Sequence, residues 1–143
     1  MLISRIASSG TILWAKKIES DYWRILGLTE FNNQLFMSYS NTDIIPKSYL
    51  MKMDLDGNFI KNISIDNDQQ LYTQNKFLKM SNNTFVFLRS LYSQFQVQCF
   101  DADLNLLWCK VSIAPDLDSD KNPATNVCLD NSGNIFTYVK LIL

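Results

Sequence analysis

The sequence contains no histidine. That absence excludes Ser-His-Asp and Cys-His nucleophiles, histidine metal ligands and imidazole acid–base catalysis together. Glycine is scarce: the four, at positions 10, 27, 57 and 133, form no glycine-rich phosphate loop. The three cysteines, Cys99, Cys109 and Cys128, match neither a disulfide framework nor a zinc site. They read as small buried hydrophobes, with a Cys99–Cys109 bridge across a hairpin as the alternative in an oxidising compartment. Long apolar runs are also missing. The longest are four residues, as in Phe85–Leu88 and Leu106–Cys109, far short of the roughly 18–20 that a membrane-spanning helix needs. The first ten residues lack the basic-then-apolar pattern of a signal peptide, so the default expectation is a cytoplasmic chain; a mature secreted fragment reads the same way. Net charge is −1, from 13 Lys and Arg against 14 Asp and Glu, with the cations scattered along the chain. No basic stripe is present, which argues against a nucleic-acid partner.

What is present is repetition. The segment 2–18 falls, at a shift of 47 and without gaps, on 49–65, and at a second shift of 47 on 96–112. Each copy is an apolar stretch, a short polar turn and a second apolar stretch, the last carrying Trp14 in the first copy and Trp108 in the third. A second unit recurs between these at a shift of 50: Leu26–Met37, Lys76–Phe87 and Asn126–Thr137. Its turns hold Asn32-Asn33, Asn82-Asn83 and Ser132-Gly133, residues that tolerate a positive φ. Ile, Val, Phe, Tyr and Trp fill the apolar stretches, and no stretch of 12 or more residues keeps a helical period. The chain therefore reads as one repeat domain, 1–143, of six hairpins, at approximately 2–18, 24–39, 49–65, 76–89, 96–112 and 126–141. The polar stretches Ser38–Lys47 and Pro115–Pro123 read as loops, and all three prolines fall in them.

Four antiparallel strands every 40–50 residues is the pattern of a β-propeller blade. Consecutive apolar residues such as Phe85-Val86-Phe87-Leu88 fit a sheet covered on both faces, whereas a half-exposed sheet would alternate apolar and polar residues. Asp54–Ile60 and Ser8–Trp14 resemble the D-x-x-G-x-x-x-W hairpin of quinoprotein-like (PQQ-type) propeller repeats. Asn126–Phe136 is similar to the D-x-x-G-N-ϕ-Y hairpin of SBBP-type bacterial propeller repeats. Leu104 replaces the turn glycine in the third copy and Lys61 replaces the tryptophan in the second. The resemblance implies that Trp14 and Trp108 pack between adjacent blades; the alternative is that they are ordinary core aromatics.

Three periods nearly exhaust the chain, while closed propellers have typically 4–8 blades. The expected fold is thus all-β, with about three four-stranded antiparallel sheets forming either a partial propeller or half of an oligomeric ring. In the second case two chains would make six blades, the N-terminal hairpin of one pairing with the C-terminal hairpin of the other.

Candidate chemistry is sparse. Asp116, Asp118 and Asp120 have the 1-3-5 spacing of a calcium loop, but Lys121 and Val127 stand where an EF-hand needs Gly and Glu. They read as a solvated acidic loop. Asp54/Asp56 and Asp101/Asp103 flank equivalent turns, where Asx-type hydrogen bonds are their expected role. Asn62-Ile63-Ser64 and Asn82-Asn83-Thr84 match the glycosylation pattern by chance in an Asn-rich chain. The reading is a non-catalytic protein-interaction or scaffold module with no catalytic, cofactor or metal residues. Its partner would be a second copy of itself or another protein. The alternatives are a segment of a quinoprotein-like enzyme, and a sugar- or small-ligand-binding module using Tyr22, Trp23, Tyr39 and Tyr49 as stacking faces.

Overall fold

The computed structural model describes residues 2–18, 23–41, 47–65, 75–80, 83–91, 94–113 and 125–139. They form twelve strands and, among the described residues, no helix: β1 (Leu2–Ile6), β2 (Ile12–Lys17), β3 (Trp23–Phe31), β4 (Gln34–Asn41), β5 (Ser48–Asp54), β6 (Phe59–Ser64), β7 (Asn75–Lys79), β8 (Thr84–Leu91), β9 (Gln94–Asp101), β10 (Leu106–Ile113), β11 (Thr125–Leu129) and β12 (Ile135–Val139). All pairings are antiparallel. Two meander sheets, β3-β4-β5-β6 and β7-β8-β9-β10, lie between two separate hairpins, β1-β2 and β11-β12. No helix among the described residues is long and apolar enough to cross a membrane.

The three gap-free copies adopt one hairpin. Ile6↔Ile12, Met53↔Phe59 and Phe100↔Leu106 each close the turn, and the register then slips by one residue at the same place in all three. Each turn follows one bonding scheme. The amide of its fourth residue (Gly10, Gly57, Leu104) donates to the carbonyl of the first (Ala7, Asp54, Asp101), whose own amide donates to the fifth (Thr11, Asn58, Asn105). This is the three-residue hairpin loop, in which the fourth residue must be left-handed. Gly10 has φ 86°, Gly57 73° and Leu104 63°. A leucine in that region costs about 1–2 kcal/mol. Its compensation is visible: Leu104 is buried and packs into the central core.

The second repeated unit is less uniform. In β11-β12 the turn follows the same scheme through Asp130, Gly133 and Asn134, and Met80 donates to Thr84 equivalently at β7-β8. In β3-β4 the turn is instead a two-residue loop with Asn32 (φ 52°) and Asn33 (φ 57°) both left-handed. The extra residue has moved into the strand, as a bulge between Ile25 and Gly27. The expected loop at Ser38–Lys47 also begins later, because β4 runs on to Asn41. Ser38 pairs with Leu50 and Ser40 with Ser48, and this ladder pairing outweighs the polarity of their side chains. The Pro115–Pro123 stretch lies outside the described residues.

Three cores join the four sheets in chain order. Ile3 of β1 packs with Met37, Tyr39, Met51 and Met53 of the first meander, with Trp14 and Ile18 at the border. Phe31, Phe36 and Leu50 of that meander, with Ile65, meet Phe85, Phe87, Phe100 and Leu104 of the second. Val86, Leu88, Val97 and Cys99 turn the other way, toward Ile135 of β12. The run Phe85–Leu88 thus supplies alternate residues to two different cores, which is why no polar residue interrupts it. Phe85 is the centre of the middle core: its ring lies 5.9 Å from Phe31, 4.9 Å from Phe36, 5.8 Å from Phe77 and 5.6 Å from Phe100.

Replacing Phe85 by Ala is expected to cost about 3–5 kcal/mol in urea unfolding. Leu104→Ala should cost about 2–4 kcal/mol, and Leu104→Gly about 1 kcal/mol less than that, because glycine relieves the left-handed strain while losing the same contacts. Equal losses in the two Leu104 variants would show that the strain is not stored there.

Candidate interaction surface

At the first two of the three junctions, one sheet is held to the next by its second hairpin reaching the turn of the second hairpin that follows. From β2, the Trp14 indole Nε1 donates to the Leu55 carbonyl at 2.9 Å, and Lys16 Nζ donates to Asn58 Oδ1 at 2.7 Å. From β1, Arg5 donates to the Leu55 carbonyl at 3.3 Å and sits 4.0 Å from the Asp56 carboxylate. The Trp14 ring lies against Gly57, where a Cβ would meet it at 2.8 Å. This turn therefore needs glycine twice over, for its φ and for the indole.

One period later, Lys52 and Lys61 take the positions of Arg5 and Trp14. Lys52 Nζ donates to Asp103 Oδ1 at 2.9 Å, and Lys61 Nζ donates to the Asp103 carbonyl at 2.6 Å. The missing tryptophan is thus replaced by an ammonium that reaches the next turn at a carbonyl one residue further along, since Asp103 is the equivalent of Asp56 and not of Leu55. Lys52 is itself buried, while Asp103 is mostly exposed. Leu104, which has no indole above it, fills its own space with side chain.

The turns are internally braced. Asp54 Oδ1 accepts from the amides of Asp56 and Asn58, and Asn58 Nδ2 donates to Asp54 Oδ2. Asp101 with Asp103 and Asn105, and Asp130 with Ser132 and Asn134, repeat this at 2.7–2.9 Å. Asp54 and Asp101 therefore have the Asx role expected of them, while Asp103 serves as an ion-pair acceptor between sheets. Hydrogen bonds from Asn58 hold the Asp54 carboxyl below its ordinary range. Those from the side chain and backbone of Asn134 do the same for Asp130. Burial pushes Asp101 upward, but the bonds from Asn105 and Asp103 outweigh it and its pKa is also lowered.

At the ends of the series the same parts are present without their counterparts. Trp108, equivalent to Trp14, is 37% exposed, and no described residue accepts a hydrogen bond from its indole. Gly10, equivalent to Gly57, has nothing within 4 Å of where a Cβ would stand. Phe136 of β12 is 55% exposed, although its equivalents Phe36 and Val86 are fully buried. Beside β3 and β4 a cavity of about 300 Å³ opens between Leu28, Leu35, Ile3 and Trp14. Neither β1 nor β12 has a described partner on its second edge.

The other candidates separate. Tyr39 and Tyr49 stack on each other at 5.1 Å, with Tyr39 buried and its hydroxyl accepting from Asn62 Nδ2 at 2.8 Å, so neither offers an open pair of faces to a sugar. Burial, more than the opposing bond from Asn62, raises the Tyr39 pKa. Tyr22, the Trp23 side chain, Asn82 and the Asp116–Asp120 loop lie outside the described residues. The cysteines are all free. Only Cys99 is buried. Cys109 and Cys128 are exposed, which corrects the expectation of three buried thiols; Cys109 lies on β10, an edge strand exposed wherever its side chains are described. Among the described residues no three His, Cys, Asp or Glu side chains are grouped to hold a metal. The brace at Asp130 and the lysine contacts were the features hardest to find in sequence, although Asp54/Asn58, Asp101/Asn105 and Asp130/Asn134 recur at one spacing.

No protein-family model matches the chain, and no curated protein or solved structure matches it either.

Three outcomes test this seam. Gly57→Ala should destabilise more than Gly133→Ala and shift Trp14 fluorescence to the red, since both pay the φ penalty but only Gly57 has an indole above it. Asp103→Ala should cost about 1–3 kcal/mol by leaving buried Lys52 unpaired, and Lys52→Met less. The carboxylates of Asp54, Asp101 and Asp130 are favoured in the fold, so their contribution is complete above the unfolded pKa of about 3.9 and is lost as pH falls through the lower folded values. Asp54→Ala, Asp101→Ala and Asp130→Ala combined should flatten that acid limb of a stability-against-pH curve.

Proposed function

We propose that this chain is a non-catalytic, propeller-type module whose work is association with protein. The observation that carries the reading is the series of four consecutive sheets joined face to face by three cores, with one kind of hairpin-to-turn contact recurring at the first two junctions. It ends in two half-sheets whose outer strands, β1 and β12, have no described partner on one edge; Phe136 on β12 is uncovered, as is Trp108 on β10 of the second meander. Contacts of β3 with β7 and of β7 with β11, the first strands of successive sheets, support the propeller reading, because inner strands of neighbouring blades are adjacent around a common axis. Two half-sheets leave unpaired strand edges and large apolar side chains in water, the features that mark an interface. A second reading, a segment of a quinoprotein-like enzyme, is favoured by the placement of Trp14 between two sheets, as in the repeats this sequence resembles.

Sedimentation equilibrium over a wide concentration range separates them. Association above the 16.5 kDa monomer is expected. A persistent monomer, or a species that reduces an artificial electron acceptor when quinone is added, overturns the proposal.

A further inference from the structure

We infer that the partner is a second chain of the same sequence, joined by pairing β12 of each chain with β1 of the other, so that two chains close a ring of six sheets. The inference rests on the protein-association reading above and fixes its partner and register.

The unpaired parts are complementary copies of junctions already made twice within the chain. In the two meanders, β4 pairs with β5 and β8 with β9 in the same register once the shifts of 47 and 50 are applied: Gln34↔Asp54 and Met37↔Met51 correspond to Thr84↔Asp101 and Phe87↔Gln98. Strand β12 is the third copy of β4 and β8, and β1 is the first copy of β5 and β9. Each lacks the partner that the other represents. The same register places Asn134 opposite Ala7 of the second chain, Ile135 opposite Ile6, Thr137 opposite Ser4 and Val139 opposite Leu2.

Two independent contacts agree. In the closed ring, the sheet following β7–β10 is completed by β1-β2 of the second chain. Trp108 would then meet the turn of that hairpin as Trp14 meets Asp54–Asn58, with its indole on Gly10 and its N–H donating to the Ser8 carbonyl. The space over Gly10 is open for it. Lys110, equivalent to Lys16, reaches Thr11, equivalent to Asn58. On the inner half, Phe36 lies 4.9 Å from Phe85 of the following sheet. Its equivalent Phe136 would meet Leu35, the counterpart of Phe85 one period earlier, and Leu35 lines the cavity beside β3 and β4. Among the described strands, pairing β12 with β1 of the same chain would give three sheets, fewer than the typical 4–8 of a closed ring.

Disulfide trapping tests the register. In a Cys109→Ser, Cys128→Ser background, Ser4→Cys with Thr137→Cys should give a covalent dimer on mild oxidation. Ser4→Cys with Tyr138→Cys should not, because a one-residue slip turns the thiols to opposite faces. Trp108→Ala and Gly10→Ala should each weaken dimerisation more than tenfold while leaving the circular dichroism of the β-sheets unchanged. Dimers that trap equally in both pairs, or in neither while association persists, overturn this interface and leave the association reading standing. A monomer at every concentration overturns both.

Discussion

The constraint on which everything else depends is that a four-stranded sheet of this composition has two apolar faces and no solvent face. Phe85 and Phe87 require cover on one side, Val86 and Leu88 on the other. Neither meander could stand alone in water with either set exposed. Stacking is therefore the condition of folding, and each added sheet solves the problem of the previous one while posing it again. The large rings of the middle core are the strongest instance, since aromatic side chains bury the most area per residue.

What directs the stacking is smaller and more polar. A turn with one left-handed residue, braced by an aspartate–asparagine pair, presents a carbonyl outward. An indole or an ammonium from the preceding hairpin donates to it. The donor changes from Trp14 to Lys61, the left-handed residue from Gly57 to Leu104, and the accepting backbone carbonyl moves one residue along the turn, from Leu55 to Asp103, the equivalent of Asp56. The substitutions are coupled: an indole above the turn requires glycine beneath it, and where the indole is absent a side chain can occupy the space.

The hairpins were legible in the sequence because their determinants are local: turn residues at fixed offsets and apolar stretches repeated without gaps. The two-sided burial of Phe85–Leu88 was legible for the same reason. The ion pair of Lys52 with Asp103 was not, since it joins residues about one period apart and depends on how two sheets are offset. The exposure of Cys109 and Cys128 was also hidden. Residue type predicts burial only when the strand has cover, and β10 is an edge. The continuation of β4 through Ser38 and Ser40 shows the opposite case, in which a polar segment is held in a ladder by its neighbours. The shift of the bulge from the turn to Ile25/Gly27 had a visible trace in Gly27, but a glycine alone does not reveal which residue is left unpaired.

The uniform slip beside each of the three equivalent turns bears on the gene as well as the fold. The hydrogen-bonded joints between neighbouring sheets link a residue of one period to the matching turn of the next, and are indifferent to how many periods precede them. Recombination between equivalent points in the coding sequence would add or remove whole sheets and leave each surviving joint in register. An architecture of this kind can change its number of sheets in a single genetic event, without passing through an unfolded intermediate design.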